Sequence, residues 1–136
     1  MSSNLFDKTT NALSTSLNMR QVRHNVTTAN IANAETPGYH AKKMDFEEAL
    51  ARAVDLDGLR NVSTTDENHI VVGGQSARVK PEIYENPDAA VNGDGNTVDL
   101  EKEMSALAEN TLMYKAALHL INKKLAALKY AAGEGR

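Results

Sequence analysis

The chain is 136 residues long, carries 15 Lys plus Arg against 18 Asp plus Glu for a formal charge of −3, and has no run of five like charges. That leaves room for one domain, or for a small core with extended helical arms, and offers no basic face to nucleic acid. Cys and Trp are absent and the aromatic residues are only Phe6, Phe46, Tyr39, Tyr84, Tyr114 and Tyr130, which excludes disulfides and thiolate chemistry and points to stability drawn partly from partner chains.

The opening MSSNLFDKTT has no basic segment followed by an apolar stretch, so no cleaved secretory signal is expected. No apolar run approaches the roughly 18 residues that a membrane-spanning helix needs. Residues 4–35 contain neither Pro nor Gly, and Leu5, Ala12, Met19, Val22, Val26 and Ala29 recur at helical spacing beside a second stripe of Phe6, Leu13, Leu17 and Ile31. This predicts a helix that buries more than one side. Its propensity opposes its pattern, because 15 of the first 35 residues are Ser, Thr or Asn. Alone the helix is marginal, and its ordering is expected to depend on apolar partners that cover both stripes. Asn4, Asn11, Asn18 and Asn25 recur every seventh residue, either as a solvated face or as a polar ladder between packed helices.

Pro37 ends that helix, and Thr36-Pro37-Gly38-Tyr39 has the composition of a type II turn and a sharp reversal. Asp45-Phe46-Glu47-Glu48 then reads as a helix start: Asp45 caps, Glu48 reaches back, and Met44 and Ala49 are spaced as a hydrophobic staple for a short helix to about Gly58. His69-Ile70-Val71-Val72 and Ala77-Arg78-Val79-Lys80, split by Gly73-Gly74, suggest short strands, and Glu85 to Asn96 reads as a flexible loop.

In the last segment Leu100, Met104, Leu107, Thr111, Tyr114, Leu118, Ile121, Leu125 and Leu128 alternate spacings of four and three, the register of a coiled-coil seam. Asn96 or Thr97 is placed to cap its start; Asp99, Glu101 and Glu103 fall near its beginning, and Lys115, Lys123, Lys124 and Lys129 in its later half. That polarity serves either register with neighbouring helices or simple agreement with the helix dipole. At about 1.5 Å per residue the helix is roughly 45 Å long, too long for the middle region to cover, so the stripe needs another helix. The fold class expected is mainly α: long terminal helices forming a coiled-coil-like pair, with a short helix and a small β-rich middle. The chain divides into an assembly helix at 1–35, a turn, short helix and β-rich or loop region at 36–96, and a coiled-coil-like helix at 97–132.

No chemistry presents itself. His24, His40, His69 and His119 show no metal-ligand spacing. Asn92, Asp94, Asn96 and Glu103 have a faint calcium-loop spacing, but Thr97 stands where the loop needs Gly. Gly73-Gly74 lacks the rest of a phosphate cradle, and no Ser lies in a strained elbow. No catalytic residue, cofactor or metal ligand is therefore expected, and the chain is not read as an enzyme.

The run Thr28 to Tyr39, TANIANAETPGY, resembles the N-terminal signature of the flagellar axial proteins, the family of rod, hook and hook-associated subunits. Residues 94–118, DGNTVDLEKEMSALAENTLMYKAAL, resemble the C-terminal signature of the small rod subunits. Glu35 stands where the family often has Asn or Asp, and His40 where a basic residue or Gln is common; neither disturbs the turn. With only about 40 residues between the helical ends, the chain is similar to the small proximal rod subunits, types B and C, and nearer to type B.

The resemblance implies a structural subunit of the flagellar basal-body rod. Such subunits are exported unfolded through the flagellar type III apparatus without a cleaved signal, and they assemble in the periplasm with copies of themselves and other rod and basal-body proteins. The residues expected to pack subunits are Leu5, Ala12, Met19, Val22, Val26, Leu100, Met104, Leu107, Tyr114, Leu118, Ile121, Leu125 and Leu128. Those expected to fix the end of the first helix and the return of the chain are Asn30, Asn33, Thr36, Pro37, Gly38 and Tyr39. Two other readings compete. A helical export adaptor or chaperone would form a stable one-to-one complex without polymer, and a hydrolase built on His and carboxylates would reveal itself by bound zinc or in a scan of His variants.

Overall fold

A computed structural model describes residues 8–59 and 81–133. In chain order these form α1 (Lys8–Ala32), β1 (Lys42–Met44), α2 (Phe46–Leu59), β2 (Ile83–Glu85) and α3 (Leu100–Gly133). The protein is mainly helical, with long helices near both ends and a small two-stranded sheet between them. None of the described helices is long and apolar enough to cross a membrane.

Asn30 near the end of α1 meets Glu103 near the start of α3, and Arg20 meets Asn110, so α1 and α3 lie side by side and run antiparallel. The two apolar stripes of α1 turn to different neighbours. Met19 and Val22, from the first stripe, pack with Met44, Phe46, Ala49 and Leu50 in a core between α1, β1 and the start of α2. Leu13, Leu17 and Ile31, from the second, are half-buried about 160° further round the helix, on the side where α3 lies. The outer face carries Ser14, Asn18, Gln21, Asn25 and Thr28, all exposed, with the Gln21 amide donating to Asn25 Oδ1 at 3.2 Å. Asn18 and Asn25 therefore belong to a solvated face. Asn4 lies outside the described residues.

The start of α2 follows its sequence signals with two differences, in the Asp45 and Glu48 side chains. The Asp45 carbonyl accepts from the Ala49 amide at 3.0 Å, and both staple residues, Met44 and Ala49, are buried in the core. The Asp45 carboxylate is taken by the Tyr84 hydroxyl at 2.7 Å, which pushes the Tyr84 pKa up to about 12. Glu48 reaches forward to Arg52 at 2.9 Å. The Arg20 and Arg23 guanidiniums lie 4.5 and 5.8 Å from the centre of the Phe46 ring, within cation–π reach, and tie α1 to α2.

β1 and β2 pair antiparallel, with Lys43 opposite Tyr84. Neither strand is announced by its sequence, since Lys-Lys-Met has no β-branched residue and three residues are too few to show alternation. The strands expected at His69–Val72 and Ala77–Lys80 lie outside the described residues. The segment from Glu85 to Asn96, read from sequence as a flexible loop, begins with the last residue of β2 and is knitted by its own hydrogen bonds, from Asn92 N–H to Asn96 O at 2.8 Å and from Gly95 N–H to Asn92 O at 2.9 Å.

Candidate functional site

The TPGY turn and the NGDGN loop interlock where α1 ends and α3 begins. Tyr39 N–H donates to Thr36 O at 3.2 Å with Gly38 at φ +70°, the type II turn expected of Pro followed by Gly. In the facing loop, the Asn92–Gly95 turn is followed by Gly95 at φ +79°, a conformation that closes a three-residue hairpin loop. The two left-handed glycines lie back to back: Gly38 N–H donates to Asp94 O at 3.0 Å, and a Cβ on Gly95 would come 3.5 Å from Gly38 Cα.

Two asparagines hold the junction, and each spends its whole carboxamide on it. Asn96 is fully buried; its Nδ2 donates to Asn33 O at 2.9 Å and Thr36 O at 2.8 Å, while its Oδ1 accepts from Val98 N–H at 2.7 Å. It thereby ties the segment after α1 to the start of α3, adding a second donor to two carbonyls that already accept the Thr36 and Tyr39 amides. Asn33 adds to the cap, its Nδ2 donating to Ala29 O at 2.8 Å. Asn30, 1% exposed, spans three elements. Its Nδ2 donates to Lys42 O at 2.8 Å and to Glu103 Oε1 at 3.1 Å, and its Oδ1 accepts from Lys42 N–H at 2.9 Å and the Tyr39 hydroxyl at 3.2 Å. Because β1 turns the Lys42 peptide groups away from β2, the Asn30 carboxamide acts as a one-residue strand on that edge. Thr97 completes the clasp, its Oγ1 accepting from Ala41 N–H at 2.8 Å and its N–H donating to Tyr39 O at 3.0 Å.

The electrostatics follow from this packing. Burial raises the Glu103 carboxyl above the ordinary carboxylate range, opposed by its bond from Asn30. Burial, and then the nearby Glu103 charge, raises the Tyr39 phenol. Asp99, and neither Asn96 nor Thr97, is the cap of α3: its Oδ1 accepts from Lys102 N–H at 3.1 Å, the contact that most lowers its pKa. Among the described residues, no group of three His, Asp or Glu is gathered so that it could hold a metal ion.

Beyond the junction, α3 turns Leu107, Tyr114, Ile121 and Leu128 partly inward. The row beside them on the inner side is Glu103, Asn110, Ala117 and Lys124, with Asn110 and Ala117 buried. The other half of the expected seam points out: Leu100, Met104, Leu118 and Leu125 are 46%, 58%, 39% and 43% exposed, joined by exposed Leu112, Met113, Leu120 and Tyr130. Thr111 is half-buried and donates its hydroxyl to Leu107 O at 2.8 Å within its own helix.

On α1, Met19 is buried and Val22 half-buried against β1 and α2; Val26 lines a groove with Ala41, Val98 and Leu100, Ala12 is half-buried, and Leu5 lies outside the described residues. The motif residues Asn30, Asn33, Thr36, Gly38 and Tyr39 meet in one junction, with Pro37 exposed at the turn. Sequence reasoning missed Asn96 as a buried hub, Lys42 and Glu103 as partners of Asn30, and Asn110. The one available signal was the pair of glycines flanking Asp94.

Residues 11–40, which hold α1 and the turn, match the family model for flagella basal body rod protein. The chain is 42% identical over 113 residues to flagellar basal body rod protein FlgB of Cereibacter sphaeroides, covering 83% of this chain and 84% of that one. FlgB of Aeromonas hydrophila is 36% identical over 123 residues, 90% of this chain and 91% of that one. FlgB of Bacillus subtilis strain 168 is 32% identical over 133 residues, 97% and 98%. The helices, the turn and the junction lie within stretches shared at that level with proteins of nearly the same length, and the chain belongs to the FlgB family of flagellar basal body rod proteins.

Proposed function

We propose that this chain is a structural subunit of the proximal flagellar rod, and that it assembles with copies of itself and with other rod and basal-body proteins through its terminal helices. The observation that carries the reading is the outward row of α3, in which Leu100, Met104, Leu118 and Leu125 share one helix face and stand in solvent. Covering such a face stabilises by about 1.5–3 kcal/mol for each large side chain fully buried, and a neighbouring helix covers it best. An open, head-to-tail contact between identical subunits builds a filament.

In this reading 1–35 and 97–132 are the assembly helices, while 36–96 forms the outer part of the subunit. The chain passes through the flagellar type III export apparatus and assembles in the periplasm. The Ser-, Thr- and Asn-rich α1 suits that route, because a helix of weak propensity unfolds readily for export. The test is the double variant Leu118→Asp/Leu125→Asp. Both side chains are exposed, so the monomer keeps its helical circular dichroism and is still exported, while rod assembly and motility are lost. A strain that carries this variant and swims like its parent overturns the proposal.

A further inference from the structure

α3 carries two possible seams that share the row Leu107, Tyr114, Ile121 and Leu128. One adds Glu103, Asn110, Ala117 and Lys124; the other adds Met104, Thr111, Leu118 and Leu125. At 3.6 residues per turn their centres are about 50° apart round the helix. On apolar burial alone, α1 should take the second. It takes the first, in which Asn110 is only 3% exposed and its Oδ1 is buried without a hydrogen-bond partner. Two polar contacts hold that choice, Asn110 Nδ2 to Arg20 O at 2.9 Å and Asn30 Nδ2 to Glu103 Oε1 at 3.1 Å. They are seven residues apart on α3, hence on one row and on two successive heptads. The carboxamide orientation is fixed by its acceptor, since the Arg20 carbonyl can only accept and so must face the amide hydrogens.

We infer that Asn110, with Glu103, sets the rotation of α3 about its axis, pinning the polar row to α1 so that the apolar row stays outward. An unpaired buried acceptor weakens a helix pair, and a lone polar residue in a seam is known to trade stability for one register over another. Here the alternative excluded is a roll of about 50° that would tuck Leu118 and Leu125 against α1. The consequence for assembly rests on the reading of function above; the rotational setting itself does not.

The chain contains no cysteine, so a single engineered thiol reports its own surroundings. In the full-length monomer, the Leu118→Cys thiol should be alkylated about tenfold faster than the Ala117→Cys thiol, as expected for an open against a covered helix face. In the Glu103→Ala/Asn110→Ala background the order should reverse. If Leu118→Cys stays the faster there, or both become equally fast, the setting does not depend on these side chains and the inference fails. Should that background lose its helical circular dichroism, the single Asn110→Ala variant decides instead. It should speed alkylation of Ala117→Cys and slow that of Leu118→Cys relative to the parent; rates unchanged from the parent overturn the inference. Polymerisation is measured separately. Reversed labelling in a variant that still polymerises like its parent would refute the assembly face and leave the rotational role standing.

Discussion

Asn30 and Asn96 are the largest fully buried side chains among the described residues, and neither is apolar. Each is tolerable because its donors and its acceptor are all engaged, so removing one strands several buried peptide groups at once. Asn30→Ala should destabilise the monomer by about 2–4 kcal/mol in urea titration, against less than about 0.5 kcal/mol for exposed Asn25→Ala. A cost for Asn30→Ala no larger than that of Asn25→Ala would mean that the junction does not hold the fold. Glu103 gives the junction a pH dependence. Its carboxyl is raised in the folded state, so the fold holds that proton more tightly than the unfolded chain does. Its contribution is therefore greatest below the unfolded carboxylate pKa and is lost as pH rises through the raised one. Glu103→Gln, which keeps the acceptor for Asn30, should be more stable than the parent at pH 7 by less than about 1 kcal/mol after solvent screening, and the difference should vanish near pH 3. A parent that gains on Glu103→Gln as pH rises would reverse the sign and refute the assignment. The sequence named Asn30 only through a motif. Its partner Glu103 is 73 positions away, and no local pattern encodes such a bond.

At the level of elements, the sequence was legible wherever a residue's own backbone preference decides. Pro37-Gly38 placed the turn, Asp45 with Met44 and Ala49 placed the start of α2, and the apolar repeat placed α3. It was illegible where distant groups compete for a side chain. Asn96 looks like a cap, but the Asn33 and Thr36 carbonyls just beyond α1 capture it and Asp99 caps in its place. The β1–β2 ribbon was invisible because it is held by Asn30, Thr97 and Asp45 more than by strand propensity. The apolar repeat of α3 divides between two directions, Leu107, Tyr114, Ile121 and Leu128 partly inward and Leu100, Met104, Leu118 and Leu125 outward, because period says nothing of which neighbour a helix turns to. The glycines separate these causes. Gly38→Ala and Gly95→Ala force a Cβ into left-handed backbone and should each lower stability by about 1–2 kcal/mol in thermal melts, whereas Gly93→Ala, which meets nothing within 4 Å, should change it by less than about 1 kcal/mol. Equal effects at all three would show that the back-to-back turns are not required.

Across the whole molecule, burial is concentrated at one end of the helix pair. Thr27, Asn30, Ala41, Met44, Phe46, Ala49, Asn96, Thr97 and Val98 are buried towards the junction, whereas at the far end Thr10 is buried on α1 and α3 from Leu118 to Gly133 contains no buried residue. A helix pair clasped at one end and thinly covered at the other opens from the thin end, because local opening there breaks few apolar contacts. Amide exchange in the dilute monomer should therefore be slowest at 27–42 and 96–110 and fastest along 118–133, with α1 grading from protected at Asn30 to unprotected towards Lys8. Polymerisation should leave the junction nearly unchanged and slow exchange most along 118–133, where the outward row gains its cover. Uniform protection in the monomer would mean that the helices are stable without neighbours and that folding is not coupled to assembly. Protection gained on polymerisation at the junction alone would place the contact between subunits on the clasp and remove the outward row of α3 from the account.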